Sequence, residues 1–446
     1  MKVSQVNKAS QPVLAFVPWG DVFEDFYGTI DVSFDKYCNE FTGSWHVGFI
    51  HALKQQGIAT NVYYSSTNVL KPLRRLHSPT AATISVIPAP KLYRAIYKRM
   101  IHPHHSFGYW SDFDKLFGRT TGLRRLWFSA LKSVAPYLAM DLRALAREIR
   151  RDGCLAILSQ DYNHAGFDKS VLLGVLLGLP VYAIFQGGTH DWNRISSFVR
   201  PLTMRLCSGF IIGPAAEAER VRAKYGVKPH YVYQVFNALD CAIWAPVERA
   251  SAREMFGIPA DAEVVVWHGR VAMGNKGLDV LMKAWDQVCE ERPGRHLKLA
   301  MLGNGQDSQE LRQCIEALPH HNVTWIDSFV SDRKLIRSFL ATGDIYAFPS
   351  RSEGMPNAPV EAMAAGLPVV AADASGVRDI FKDGEISGGI VVPVHDVPAF
   401  AAALGRLLDD ENLRRILAVA GRERAKAFTS GRVGEQLRAV LFPRLA

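Results

Sequence analysis

Six strand-sized apolar runs punctuate the second half of the chain: Val264–His268, Leu297–Leu302, Val323–Ile326, Ile345–Phe348, Leu367–Ala371 and Gly389–Val392. Each is followed by a helical pattern, or by a short Gly-containing loop leading into one. Runs of four to six mostly aliphatic residues, recurring with helices between them, predict parallel strands buried on both faces and joined by crossover helices. The first half repeats the pattern more loosely, with strands expected at Val13–Val17, Thr60–Tyr64, Leu155–Leu158, Val181–Phe185 and Gly209–Ile212, and helices at Ser44–Gln56 and Ser170–Gly178. The expected fold class is therefore α/β with two Rossmann-like domains, and ligands are expected beyond the C-terminal ends of the strands.

At 446 residues the chain exceeds the size of one growing core, which also favours two domains. The weakly periodic stretch from Asn237 to Ala262, with Pro246 and Pro259, places the break, giving domains 1–240 and 241–446. The last helix is a candidate to pack back on the first domain. Residues 71–132 are the least periodic and read as helices or loops inserted in the first domain. Charge is uneven: residues 1–245 hold 28 Lys+Arg against 17 Asp+Glu, and residues 246–446 hold 24 against 26. Most of the excess lies between Lys71 and Lys132, interleaved with Tyr93, Tyr97, Trp110 and Trp127. Such a stretch suits an anionic surface, a membrane or a lipid phosphate, unless it is only a solvated helix face. No recognised nucleic-acid module accompanies it, so nucleic acid is not an expected partner. No run reaches the roughly 20 apolar residues that span a bilayer, and none of signal-peptide length follows the first lysines. The six cysteines are scattered without a CxxC pair, which favours a reducing compartment. The expected location is cytoplasmic, with the inner membrane face as the peripheral alternative.

The strongest local feature is Ser350-Arg-Ser-Glu-Gly-Met-Pro-Asn-Ala-Pro-Val-Glu361, which follows Ile345–Phe348 and opens a helix. Asn357 is a suitable N-cap and Pro359 is tolerated in the first turn. Free N–H groups around Gly354 to Ala358, those of Gly354 and Met355 before Pro356 and of Asn357 and Ala358 after it, would then face the space above the strand ends. Glu353 and Glu361 reach that same space, and a carboxylate accepts two hydrogen bonds from a vicinal diol such as a ribose or hexose presents. A capped helix with acids near its positive end explains either glutamate alone but not the pair. A second feature, Gly269-Arg270 and Lys276-Gly277, follows Val264–His268; two cations bracketing a strand-to-helix loop suit a diphosphate. Gly303-Asn304-Gly305 reads equally as a nucleotide-contacting turn or a tight strand-to-helix turn. The segment from Asp327 to Val330 is a candidate flank for a base.

These residues resemble the retaining glycosyltransferases of family 4, which have the GT-B fold of two Rossmann-like domains across a central cleft. The match is to the family's E-x7-E motif, here Glu353 and Glu361, and to its GR…KG motif, here Arg270 and Lys276-Gly277. It is specific over roughly Asn237–Ala374 and diffuse before that. The resemblance implies metal-independent transfer of a hexose-type sugar from a nucleotide diphosphate sugar, a UDP-sugar first and a GDP-sugar as the alternative, with retention of configuration. Arg270 and Lys276 would stabilise the leaving diphosphate, Glu361 would hold the ribose and Glu353 the donor sugar. No further cofactor is implied. The acceptor would be a glycan, a lipid-linked sugar or a small molecule in polysaccharide or glycolipid synthesis.

In the first half, Thr42-Gly43-Ser44 looks like the family's glycine loop, and equally like an ordinary helix cap. Gln186 stands where many relatives place a catalytic histidine; it can bond a hydroxyl but cannot share a proton as imidazole does. Asp161, His164 and His190 are the other candidate substrate contacts, although a lone histidine is more often structural. Asp112-Phe113-Asp114 spells a D-x-D metal motif but has no preceding strand, so no metal site is expected. A nucleotide-sugar epimerase of the same fold and a non-catalytic nucleotide-sugar-binding subunit remain the competing classes.

Overall fold

The computed structural model describes residues 11–443 except 31, 44, 101–121, 188–193, 241 and 321. The described residues form two sheets. The first contains β1 (Val13–Val17), β2 (Ala59–Ser66), β3 (Leu73–His77), β4 (Ala82–Pro88), β5 (Cys154–Gln160), β6 (Val181–Phe185), β7 (Gly209–Ile212) and β8 (Val232–Tyr233), in the order β3-β4-β2-β1-β5-β6-β7-β8. The second contains β9 (Glu263–His268), β10 (Leu297–Leu302), β11 (Val323–Ile326), β12 (Ile345–Phe348), β13 (Val369–Ala372) and β14 (Gly389–Val392), ordered β11-β10-β9-β12-β13-β14. All pairings are parallel except β3 with β4.

Strand alternation explains why each sheet is covered on both faces. Leu14 and Phe16 of β1 enter one core, and Ala15 and Val17 enter the core on the other face. Val265 and Trp267 of β9 divide from Val264 and Val266 in the same way. Leu367 was expected to open β13, but the strand starts at Val369, because the intervening Pro368 has no N–H to donate; its carbonyl instead accepts from Tyr346 N.

The reading of residues 71–132 as helices or loops is corrected in part. Its start forms the β3–β4 hairpin, hidden in the sequence because an edge strand tolerates Arg74 and Arg75. Arg74 donates to Glu148 at 3.0 Å and Asp152 at 2.7 Å, and Arg75 pairs with Asp35, so two of the expected surface cations are held within the molecule. Asp112 and Asp114 lie outside the described residues.

The last helix, Ser430–Leu441, lies against helix Trp45–Gln55, and its Val433, Leu437 and Leu441 share a core with Phe49 and Leu53. The chain thus returns from the second sheet to the first. No described helix is long and apolar enough to cross a membrane.

Candidate active site

In the parallel part of each sheet the strand order reverses once, and helices leave neighbouring strands in opposite directions there. In the second sheet this happens between β9 and β12, whose following loops therefore face a common crevice. Those loops carry the two motifs. A pocket of about 340 Å³ opens above them, lined by Lys276, Glu353, Pro356, Asn357 and Glu361 together with Gly43 of the first domain. That is the lower end of the size range of small-molecule sites.

Lys276 ends the short helix Met273–Lys276, and Gly277 then takes the left-handed conformation at φ +62° before helix Leu278–Glu290. A Cβ on Gly277 would stand 2.0 Å from the Pro349 carbonyl oxygen, so only glycine lets this turn rest on the β12 loop. Lys276 Nζ thereby reaches Glu353 Oε1 at 2.6 Å, both side chains being largely buried. Arg351 ties the two loops again, donating to Gly274 O at 2.9 Å while its backbone N donates to Asn275 O. Gly303 lies in a closely packed turn: a Cβ there would lie 1.9 Å from Gly269 O, and Val271 N donates to Asn304 O. It shapes the Gly269–Lys276 loop from behind and does not line the pocket. Arg270 is exposed and also lies outside the lining.

Asn357 precedes helix Ala358–Ala365, but its side chain makes no capping bond, contrary to expectation. Its φ and ψ are already helical, so the amide is not turned back on the first-turn N–H groups, and it lines the pocket instead. In the first turn Pro359 has no N–H and Glu361 N already donates to Asn357 O, so the N–H groups an anion could meet are those of Ala358 and Val360. The Glu361 carboxylate, one turn in, accepts from His268 Nε2 at 3.0 Å. His268 ends β9, is almost fully buried, and has no hydrogen-bond partner at Nδ1 among the described residues. The motifs missed it, although the last residue of a strand at the reversal point is itself a positional signal.

Phe329, Val330, Ser331, Arg333 and Ile336 form a further wall after β11. Arg333 donates from Nε and Nη2 to Thr42 O at 3.2 and 2.9 Å, and Thr42 Oγ1 donates to Ser331 O at 3.3 Å. Gly43 is thus held against this wall across the interdomain boundary. Arg333 carried no motif, and only the tertiary fold brings it to the site.

The first-domain candidates behave differently. Gln186 and Asn237 form a reciprocal amide pair at 2.8 and 3.0 Å, and Asn237 Nδ2 also donates to Met355 O at 3.0 Å. Gln186 therefore sits at the seam here, with one of its amide N–H groups and one oxygen lone pair taken by Asn237. Gly354 packs on its carbonyl, where an added Cβ would sit 2.0 Å away, and buried Met355 packs against Gly213. Gly354 and Met355 consequently hold the interdomain seam and do not line the pocket. Asp161 is buried in a left-handed conformation at φ +54°, and its Oδ1 accepts from Gln186 N at 2.8 Å. Burial pushes its carboxyl up to about 7 against the opposing effect of that bond. His164 caps helix Ala165–Leu177 through Nδ1 and lies 3.4 Å from Asp21 through Nε2; burial holds its pKa below the ordinary value. Neither lines the pocket. His190 and Ser44 lie outside the described residues. Among the described residues no three His, Cys, Asp or Glu side chains are grouped to hold a metal.

Residues 262–410 match the family described as Glycosyl transferases group 1. The D-inositol 3-phosphate glycosyltransferase of Kineococcus radiotolerans is 32% identical over 234 residues, which are 49% of this chain and 53% of that protein. The chain spans about half the length of the curated relatives it matches. Among solved structures, sucrose-phosphate synthase from Thermosynechococcus elongatus superposes with a TM-score of 0.68 at 17% identity, covering 97% of this chain and 99% of that one. Anabaena HepE in complex with UDP does so with a TM-score of 0.67 at 14% identity, over 96% and 99%. At these identities the likeness concerns the fold, two α/β domains with parallel sheets arranged as in GT-B proteins.

Proposed function

We propose, from the premise that the chain carries a Glycosyl transferases group 1 domain over residues 262–410 within a GT-B fold, that it transfers a hexose-type sugar from a nucleotide diphosphate sugar. The observation that carries this reading is the grouping of Lys276, Glu353 and Glu361 around one pocket at the reversal point of the second sheet. Lys276 and Glu353 neutralise one another as an ion pair. A bound diphosphate would draw the ammonium toward the phosphates and free the carboxylate for the hydroxyls of the donor sugar. Breaking the glycosidic bond builds negative charge on the leaving diphosphate, so a fixed cation and the N–H groups opening helix Ala358–Ala365 lower the barrier where the charge develops. Exposed Arg270 is free to add a second cation. Glu361, oriented by His268, would take the ribose diol.

A UDP-sugar is the favoured donor, supported by the UDP named for the HepE structure, with a GDP-sugar as the alternative. The transfer is proposed to retain configuration and to need no metal. The acceptor is proposed to be a glycan, lipid-linked or small-molecule hydroxyl in polysaccharide or glycolipid synthesis, met in the cytoplasm or at its membrane face. A second reading, nucleotide-sugar binding without turnover, draws on the Gln186–Asn237 pair, which occupies the side chain standing where relatives carry histidine.

The test is thermal stabilisation by a panel of nucleotide-sugars, followed by donor hydrolysis with and without chelator. One donor should raise the melting temperature and be hydrolysed equally in chelator, with both effects lost in Lys276→Ala. Strict dependence on a divalent cation, or no stabilisation by any donor, refutes the proposal; stabilisation without turnover selects the second reading.

A further inference from the structure

Gly43 reaches the pocket on a short loop that leaves helix Phe34–Glu40, where a glycine makes the backbone permissive. The path of the loop is set at two consecutive carbonyls. From the second domain, Arg333 donates twice to Thr42 O. From the first domain, His77 Nε2 meets Phe41 O at 2.9 Å. A carbonyl oxygen only accepts, so Nε2 carries the hydrogen, and Nδ1 is left to accept from Thr80 Oγ1 at 2.8 Å. Both side chains are buried. Burial holds the imidazole pKa below its ordinary value, against the opposing effect of the Phe41 bond, so the ring stays neutral in this tautomer at physiological pH.

The histidine comes from the hairpin that the sequence concealed. It ends β3 and pairs with Ala82 of β4 across a turn in which Ser78 N donates to Cys38 O at 2.7 Å. The turn is thus fastened to helix Phe34–Glu40 by its backbone and to the loop beyond by one imidazole. Phe41 is itself buried, with its ring against Tyr27 and Tyr37, so the chain leaves the core at the residue whose carbonyl His77 holds. A trans peptide is planar, so fixing Phe41 C=O also fixes the direction of Thr42 N–H, and fixing Thr42 C=O does the same for Gly43 N–H. The bond to Phe41 adds nothing to the β3–β4 ladder; what it orders is the loop.

We propose that His77 is a positioning residue for the donor pocket. Through Phe41 O it holds Thr42 and Gly43 where Ser331 and Arg333 meet them, and so sets the wall that Gly43 contributes. It acts on donor binding through the loop, at a distance from the reacting atoms. The identity of the donor rests on the transferase reading; the placement of the loop does not.

The experiment compares the full chain with three variants. His77→Phe keeps a ring and removes both bonds. His77→Gln has its Nε2 the same number of bonds from the backbone and still donates to Phe41 O. Tyr63→Phe removes a hydroxyl that donates to Asp152 at 2.6 Å on the other face of the sheet, as a control for lost stability. Hydrogen exchange of peptides covering residues 34–43 is followed in the free protein, and UDP affinity is measured by isothermal titration. His77→Phe should speed that exchange at least about threefold and weaken UDP binding about three- to tenfold. His77→Gln should bring both back to within about twofold of wild type, and Tyr63→Phe should lower the melting temperature without either effect. Exchange unchanged in His77→Phe, UDP affinity unchanged despite faster exchange, or a glutamine variant no better than phenylalanine overturns the proposal. UDP binding to none of the proteins, with the exchange differences as expected, tells against the transferase reading alone.

Discussion

Gly277→Ala tests how the Lys276 ammonium is placed. Two costs act on the same methyl group. The residue sits at φ +62°, where an L side chain costs about 1–2 kcal/mol. The Cβ would also stand 2.0 Å from Pro349 O and 2.9 Å from Pro349 C, so the turn and the β12 loop must separate by about 1 Å. Overpacking of this kind costs about 1–3 kcal/mol. The expected loss is therefore about 2–5 kcal/mol, or a melting temperature lower by roughly 5–15 °C for a domain of this size. Gly274, three residues earlier and inside the short helix that Gly277 follows, is the internal control. A Cβ there meets nothing within 4 Å, and its φ is ordinary, so Gly274→Ala should be neutral or stabilising by up to about 1 kcal/mol. Thermal unfolding followed by circular dichroism, repeated with UDP, reads both effects. Separation of the two loops should also pull Lys276 from Glu353 and reduce the nucleotide-induced shift in Gly277→Ala only. Equal melting temperatures for the two alanine variants would refute the steric reasoning.

Three further outcomes are expected. His268→Phe keeps the ring but removes the bond to Glu361; the donor KM should rise about tenfold with kcat within about twofold, and a fall confined to kcat would exclude a positioning role. Arg333→Ala frees Thr42 O and loosens Gly43 from the β11 wall, so isothermal titration should show donor affinity about three- to tenfold weaker with no loss of melting temperature beyond a few degrees. Asp161 has its folded-state pKa raised to about 7, so the folded state binds more protons than the unfolded state between about pH 4 and 7. Its contribution is present at acid pH and lost as pH rises through about 7. Asp161→Asn, which keeps an acceptor for Gln186 N, should gain in melting temperature over wild type at pH 8 relative to pH 5; a constant difference across that range would disprove the assignment.

The C-terminal domain was legible because its strands are apolar runs of uniform length and its motifs sit directly after them. Its six strands fall within two residues of their expected starts. Asn357 was misread because capping depends on backbone dihedrals that the residue type does not specify. Gln186 was recognised as a departure from the family pattern, but its partner Asn237 lies 51 residues away, and nothing local announces the pair. The β3–β4 hairpin was lost among cations because edge strands need no apolar outer face.

The sequence alone determined the α/β class and the chemistry of the donor loops, because strand periodicity and residues adjacent to strand ends are local properties. Only the tertiary structure decided which residues converge. Gly43, His268, Arg333 and Glu361 come from four separate segments and meet because the strand order reverses between β9 and β12 and the first domain closes over that point. Gly303 and Gly354 are glycines of similar local context to Gly43, yet they carry backbone packing and leave the pocket to others. That distinction rests on which carbonyl lies opposite, a long-range contact that local sequence does not encode.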